Sequence, residues 1–209
     1  MTKIKGNITA DNLEINLKFL YLQMQKKEIN QVGLEKIVEL FRNSEIFAYP
    51  TETVFGIGGN PEKEEVVEKI CRIKNRKEGK SFIVIADDLE KISEFANIPT
   101  GEKLQKMQEL ASQKPTTFLL EATEKAAKKL VINGKIAVRI SPQKEVAEIC
   151  NAVKSAIIST SANLSGKRAA LSVEEVAEYF PNLPIYGKTC PKLPPSRIFD
   201  LEREIFLRN

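Results

Sequence analysis

Tyr49-Pro50-Thr51-Glu52-Thr53-Val54-Phe55-Gly56-Ile57-Gly58-Gly59-Asn60-Pro61 is the stretch on which the reading of the chain turns. It follows the apolar run Ile46-Phe47-Ala48, which predicts a buried strand. It closes on Asn60-Pro61, an N-cap residue and a first-turn proline that predict a helix from Pro61. The expected local order is strand, loop, helix. Pro50 ends the strand, Thr51, Glu52 and Thr53 put hydroxyls and a carboxylate at its end, and three glycines would let the backbone approach a ligand closely. A tight strand-to-helix connection alone could also explain a glycine pair, so the cradle needs support from elsewhere in the chain. Two nucleotide motifs are excluded: no Gly-Lys-Ser/Thr follows, and Gly56-Ile57-Gly58 lacks the third glycine of the dinucleotide fingerprint.

Downstream, the helix carries Val66, Val67, Ile70, Cys71 and Ile73 on a core-facing side and Glu62, Glu64 and Glu65 in its first turn. Its end is basic, with Lys69, Arg72, Lys74, Arg76, Lys77 and Lys80. The helix dipole accounts for Lys69 and Arg72 without any ligand. Lys74, Arg76 and Lys80 fall beyond the expected helix end, just before a strand at 81–86 of nearly continuous Phe, Ile and Val. A loop held by so buried a strand can aim its charges, which makes it a candidate anion site. Upstream, Leu34, Ile37, Val38, Leu40 and Phe41 predict a core helix at 33–43, and a mixed apolar pattern predicts another at 13–27.

The remaining chain predicts surface helices at 88–95 and 101–112, then a strand opening at Lys114-Pro115-Thr116-Thr117. Next come a strand at 135–140 that ends in Arg139, a helix at 144–153 and a buried strand at 156–158. That last strand runs into Ser159-Thr160-Ser161-Ala162-Asn163-Leu164-Ser165-Gly166, read as a loop. Such residues cap turns readily, yet at the end of a buried strand they also make a hydrogen-bonding pocket wall. A helix at 174–180, a stiff Cys190–Pro195 connector and a hairpin of 196–201 with 205–208 complete the chain.

At 209 residues and 42% hydrophobic, the chain can bury a substantial core as one domain. No apolar run approaches a membrane span and Met1 to Gly6 lack a signal-peptide core, so a cytoplasmic location is expected. Cys71, Cys150 and Cys190 are odd in number and far apart, which suits reduced thiols, and no zinc spacing occurs. Histidine is absent. That removes Ser-His-Asp and Cys-His catalysis and His-ligated metals, and favours chemistry by positioning and fixed positive charge, as in phosphoryl and nucleotidyl transfer. The net charge of +4 separates no small anionic ligand from a nucleic acid.

With these residues in place, the chain resembles the YrdC/TsaC family of L-threonylcarbamoyladenylate synthases from Leu34 to Arg208. Tyr49 to Gly59 is similar to the family's Y-P-T-E/D-T-x-x-G-x-G segment. Lys74-x-Arg76 and Ser161-x-Asn163 resemble its K-x-R and S-x-N signatures, Pro115-x-Thr117 its G-P-x-T strand start, Ser196 its E-S-T-like serine and Arg208 its late arginine. Lys114, Lys77 and Ala169 depart from the family's usual glycine, proline and serine.

The resemblance implies an α/β domain, an open twisted mixed sheet flanked by helices around a central cavity, spanning 31–209 after an unassigned extension, 1–30. It implies that L-threonine, bicarbonate or CO2 and ATP give threonylcarbamoyl-AMP and pyrophosphate, the first step toward the t6A modification of tRNA. Lys74 and Arg76 are then the catalytic residues. ATP would meet Arg76, Lys80, Thr117, Ser161, Asn163 and Arg208, and threonine would meet Thr53, Ser159 and Ser196. No metal is assigned to the protein, Mg2+ being expected on the nucleotide. A downstream t6A transferase complex and tRNA are the implied partners, with no membrane. The alternatives are an RNA-binding module using the basic concave face, and a carbamoyl-transfer module of the hydrogenase-maturation type. Against the first, 7% of residues are aromatic and none lies between the basic residues, so no stacking platform is visible. Against the second, the zinc-finger cysteines that flank such modules are missing.

Overall fold

The computed structural model describes residues 29–75 and 82–209. The expected helix at 13–27 and the basic residues Arg76, Lys77 and Lys80 lie outside the described residues. Helix α1 (Leu34–Arg42) buries Ile37 and Phe41, one turn apart, as the apolar spacing predicts. Strands β1 (Phe47–Pro50) and β2 (Phe55–Gly58) follow, paired antiparallel from Phe47 opposite Gly58 to Pro50 opposite Phe55.

The glycine half of the opening stretch is therefore a strand, which corrects the loop expected there. The reversal is completed earlier, in Thr51 to Val54, by a backbone bond from the Thr51 amide to the Val54 carbonyl (3.1 Å) and by the Thr51 hydroxyl. Thr51 Oγ1 donates to the Val54 carbonyl (2.8 Å) and accepts from the Thr53 and Val54 amides (3.2 and 3.3 Å). The glycines serve packing. A Cβ on Gly58 would lie 2.0 Å from the Ile158 carbonyl oxygen, and one on Gly59 would lie 2.7 Å from Val66 and 2.9 Å from the Glu45 carbonyl oxygen. A neighbouring strand and a helix, rather than a ligand, exclude side chains at these two positions.

The expected helix from Pro61 is also corrected. Helix α2 (Glu64–Ile73) begins three residues later, with Lys63 at its N-cap. Asn60 Oδ1 instead accepts from the Glu62 amide (2.9 Å), so the asparagine closes a local turn before helical geometry is reached.

The remaining elements are β3 (Ile83–Ala86), α3 (Leu89–Ser93), α4 (Gly101–Gln113), β4 (Thr116–Glu121), β5 (Lys135–Ile140), α5 (Lys144–Val153), β6 (Ile157–Ser161), α6 (Val173–Tyr179), β7 (Arg197–Asp200) and β8 (Ile205–Arg208). Among the described residues they form an open eight-stranded sheet, ordered β1-β2-β6-β3-β5-β4-β7-β8. It is mixed: β3 and β5 are parallel, as are β4 and β7, and the other neighbours are antiparallel. Helices flank it, α5 against β1 and β3, α2 against β2 and α4 against β4. Phe47, Tyr49, Phe55, Phe95 and Phe118 are fully buried in the hydrophobic core. Each contributes roughly 1.5–3 kcal/mol relative to exposure.

Strand β6 extends through Ser161, so Ser159, Thr160 and Ser161 are strand residues rather than loop. Ser161 pairs with Gly56 and Thr160 with Ile57 on one side, while Ser159 pairs with Ile83 on the other. Ladder bonds on both edges override the turn preference of serine. The register also sets one face of the sheet: Ser159 and Ala137 flank Ile83, and Arg139 lies two residues beyond Ala137. That face bears the cavity.

Candidate active site

A cavity of about 430 Å³ opens on this face, lined among others by Thr53, Gly56, Lys74, Arg139, Ser159, Ser161, Asn163, Ser196 and Arg208. Its inner wall belongs to β2, β6, β3 and β5. Thr53 and Ser159 are 3% and 4% exposed. Tyr49, behind them, donates its hydroxyl to the Ile158 carbonyl (2.8 Å) and shares a hydrogen bond with the Ser159 side chain. Burial drives the Tyr49 phenol far above its ordinary pKa, so it remains a neutral partner throughout the working pH range. A Cβ on Gly56 would approach Ser159 Oγ to 3.2 Å and the Tyr49 ring to 3.4 Å, so glycine here preserves the hydroxyl wall.

Arg139 belongs to this wall, and sequence reasoning missed its role. Both it and Glu52 have side chains about nine-tenths or more buried, with Arg139 Nε 3.3 Å from Glu52 Oε1. Ser141 donates its hydroxyl to Glu52 Oε2. An arginine inside the otherwise apolar run at 136–140 was the available signal, because a charge is buried on a central strand only with a partner or a task.

The next segment joins the two predicted signatures. Lys74, at the C-cap of α2 and 3% exposed, donates to the Asn163 carbonyl (2.8 Å), to Asn163 Oδ1 (3.2 Å) and to the Ser161 carbonyl. Ser161 Oγ donates to Asn163 Oδ1 (2.6 Å), and Asn163 Nδ2 donates to the Leu164 and Lys167 carbonyls. The lysine thus holds the loop after β6 in shape while lining the cavity. Ala169, the departure from the family serine, lines it too. Arg76 and Lys80, which the sequence places just beyond Lys74, lie outside the described residues.

The outer wall comes from the C-terminal hairpin. Arg208 donates through Nε and Nη2 to the Ser196 carbonyl (2.9 and 2.7 Å), and through Nη2 to Ser196 Oγ (3.3 Å). Partial burial, and then the nearby Arg139 charge, press the Arg208 pKa below its ordinary value. Two guanidinium groups thus repel across one cavity, an arrangement that an anion between them would relieve. Thr117 is fully buried and does not line the cavity; it reaches it only through Ser196, Oγ1 to Oγ at 3.0 Å. Among the described residues no group of three or more His, Cys, Asp or Glu could hold a metal ion, and no helix is long and apolar enough to cross a membrane.

Comparison with known proteins follows the same lines. The model of the Sua5/YciO/YrdC family, described as "Telomere recombination", matches residues 39–209. A threonylcarbamoyl-AMP synthase of Dichelobacter nodosus is 40% identical over 157 residues, 74% of this chain and 83% of that protein. Among solved structures, P. abyssi Sua5 complexed with L-threonine superposes with a TM-score of 0.70 at 25% identity, over 82% of this chain and 52% of that one. The chain thus spans about half the length of that archaeal protein. E. coli YciO shares the fold, with a TM-score of 0.69 at 21% identity over 84% of this chain and 88% of that one.

Proposed function

Because the chain belongs to the Sua5/YciO/YrdC family, we propose that it is a threonylcarbamoyl-AMP synthase, condensing L-threonine, CO2 or bicarbonate and ATP with release of pyrophosphate. The observation that carries the reading is the pair of guanidinium groups, Arg139 and Arg208, facing one hydroxyl-lined cavity. Arg139, at the inner wall beside Thr53 and Ser159, suits the carboxylate and hydroxyl of a small amino acid. Arg208, Lys74, Ser161 and Asn163 suit the polyphosphate, with Arg76 and Lys80 as further hydrogen-bond donors to it.

The chemistry needs no enzyme nucleophile, in keeping with a chain that has no histidine. The neutral threonine amine adds to CO2, loses a proton and becomes a carbamate. A carbamate oxygen attacks the α-phosphorus of ATP, the bond to the bridging oxygen of the β-phosphate breaks, and pyrophosphate leaves. These side chains orient the reactants and stabilise charge developing on the phosphoryl oxygens. ATP would bring Mg2+ with it, the ion adding positive charge at the phosphates. The mixed anhydride so formed is an activated acyl donor, and the consumer we propose for it is a transferase that passes the threonylcarbamoyl group to tRNA.

An RNA-binding module is not favoured. The site is a recess of small-molecule size, within the usual range for such pockets. The test is pyrophosphate release with ATP, L-threonine and bicarbonate, omitting each in turn. Release that depends on all three is expected; release independent of threonine would overturn the reading.

A further inference from the structure

We infer that Glu52 is a positioning residue, whose buried carboxylate aims the Arg139 guanidinium into the cavity and so sets recognition of the amino acid's carboxylate. The inference rests on the proposed function for the identity of that substrate. Glu52 does not line the cavity, and its own side chain is only 4% exposed, so it acts through its neighbours.

The geometry is specific. Glu52 faces Arg139 through Oε1, 3.3 Å from Nε, while Oε2 accepts from Ser141. The approach to Glu52 is made at Nε, and a second carboxylate is best gripped by the fork of terminal nitrogens at the other end of the guanidinium. Glu52 Oε1 and Arg139 Nε are both buried and, among the described residues, neither has a hydrogen-bond partner, so their 3.3 Å approach is an ion contact in which each buried charge is balanced by the other. Arg139 sits on β5, whose backbone is fixed by β3 and β4, so the side chain is the adjustable part of the contact.

Glu52 also connects the two sides of the site. It lies in the Thr51–Val54 turn next to Thr53, and its carbonyl accepts from the Leu193 amide (3.1 Å) of the connector that leads to Pro195 and Ser196. One residue therefore fixes the direction of the arginine by its side chain and the position of the outer wall by its backbone. Only the first depends on the carboxylate, so a side-chain substitution tests it separately.

The test compares wild type with Glu52→Gln, Glu52→Asp and Ser141→Ala. Gln keeps the shape but removes the charge, Asp keeps the charge at shorter reach, and Ser141→Ala removes the hydroxyl that orients Oε2 together with its contact from the Gln143 amide (3.3 Å). L-threonine and L-threonine methyl ester are titrated calorimetrically against each, and KM values for threonine and ATP are taken from pyrophosphate release. Wild type should bind threonine well and the ester poorly. In Glu52→Gln, threonine affinity should fall on the order of tenfold or more, the acid-over-ester preference should shrink by a similar factor, and the ATP KM should stay within about twofold. Ser141→Ala should show the same pattern more weakly, which keeps the test informative if Glu52→Gln folds poorly, and Glu52→Asp should recover part of the preference. Unchanged acid-over-ester preference in both Glu52→Gln and Ser141→Ala would overturn the inference. An equal loss for threonine and ATP together with a fall in melting temperature would reduce Glu52 to a structural ion pair. If wild type binds no threonine at all, the functional reading fails first, and the inference with it.

Discussion

Ser159 and Arg208 line the same cavity from opposite kinds of structure. Ser159 is on β6, paired on both edges and 4% exposed; Arg208 is on β8, the last strand of the sheet, every residue of which is exposed. The inner wall holds its polar groups by packing, so Tyr49, Gly56 and Ser159 cannot move independently of the fold. The outer wall holds Arg208 by hydrogen bonds to one carbonyl and hydroxyl of Ser196. The inner wall can therefore discriminate between substrates that differ by a few atoms, while the outer wall can supply charge with little influence on stability.

That contrast breaks most readily at Gly58. Adding a methyl 2.0 Å from the Ile158 carbonyl oxygen forces β2 and β6 apart, so Gly58→Ala should cost about 3 kcal/mol or more and lower or abolish the cooperative unfolding transition. A melting temperature within two degrees of wild type would mean the wall can yield. The next effect concerns selectivity. L-valine lacks the hydroxyl that the inner wall is proposed to pair, and its kcat/KM should be on the order of 100-fold below that of L-threonine. Equal turnover would contradict the pocket.

The outer wall should respond in the opposite way. Deleting Arg208 and Asn209 should lower kcat/KM for ATP roughly tenfold through loss of a charge-assisted contact, with the melting temperature changed by only a few degrees. Unchanged ATP kinetics would make Arg208 a surface charge, and a collapsed melting temperature would show that the hairpin anchors the fold. The smallest effect is expected at Leu207, 51% exposed on the same strand. Leu207→Thr should shift stability by no more than about 0.5 kcal/mol in urea unfolding and leave activity unchanged.

Where the sequence read well, local rules and tertiary demands coincided. Helix α5 has the expected bounds, and the two runs at 197–200 and 205–208 pair as the expected terminal hairpin. The motif residues Thr53, Lys74, Ser159, Ser161, Asn163, Ser196 and Arg208 all line one cavity. Where it read poorly, a partner distant in the chain decided the outcome. Asn60 looked like a helix cap and closed a turn; Gly58 and Gly59 looked like room for a ligand and make room for Ile158, Val66 and Glu45. Arg139 looked like the end of a strand, because nothing in Lys135–Ile140 says that Glu52, far back in the chain, lies beside it.

The sequence by itself determined the α/β class, most of the element order, the absence of histidine-based chemistry and the family motifs that select the cavity residues. Periodicity, turn residues and composition act over a few positions, so they are legible without a fold. Only the tertiary structure decided which hydroxyls belong to a strand, which glycines are demanded by neighbours, that Thr117 stands behind Ser196, and that a buried Glu52–Arg139 pair underlies the site. These depend on register and on close packing between segments remote in the chain, where a single ångström separates contact from clash.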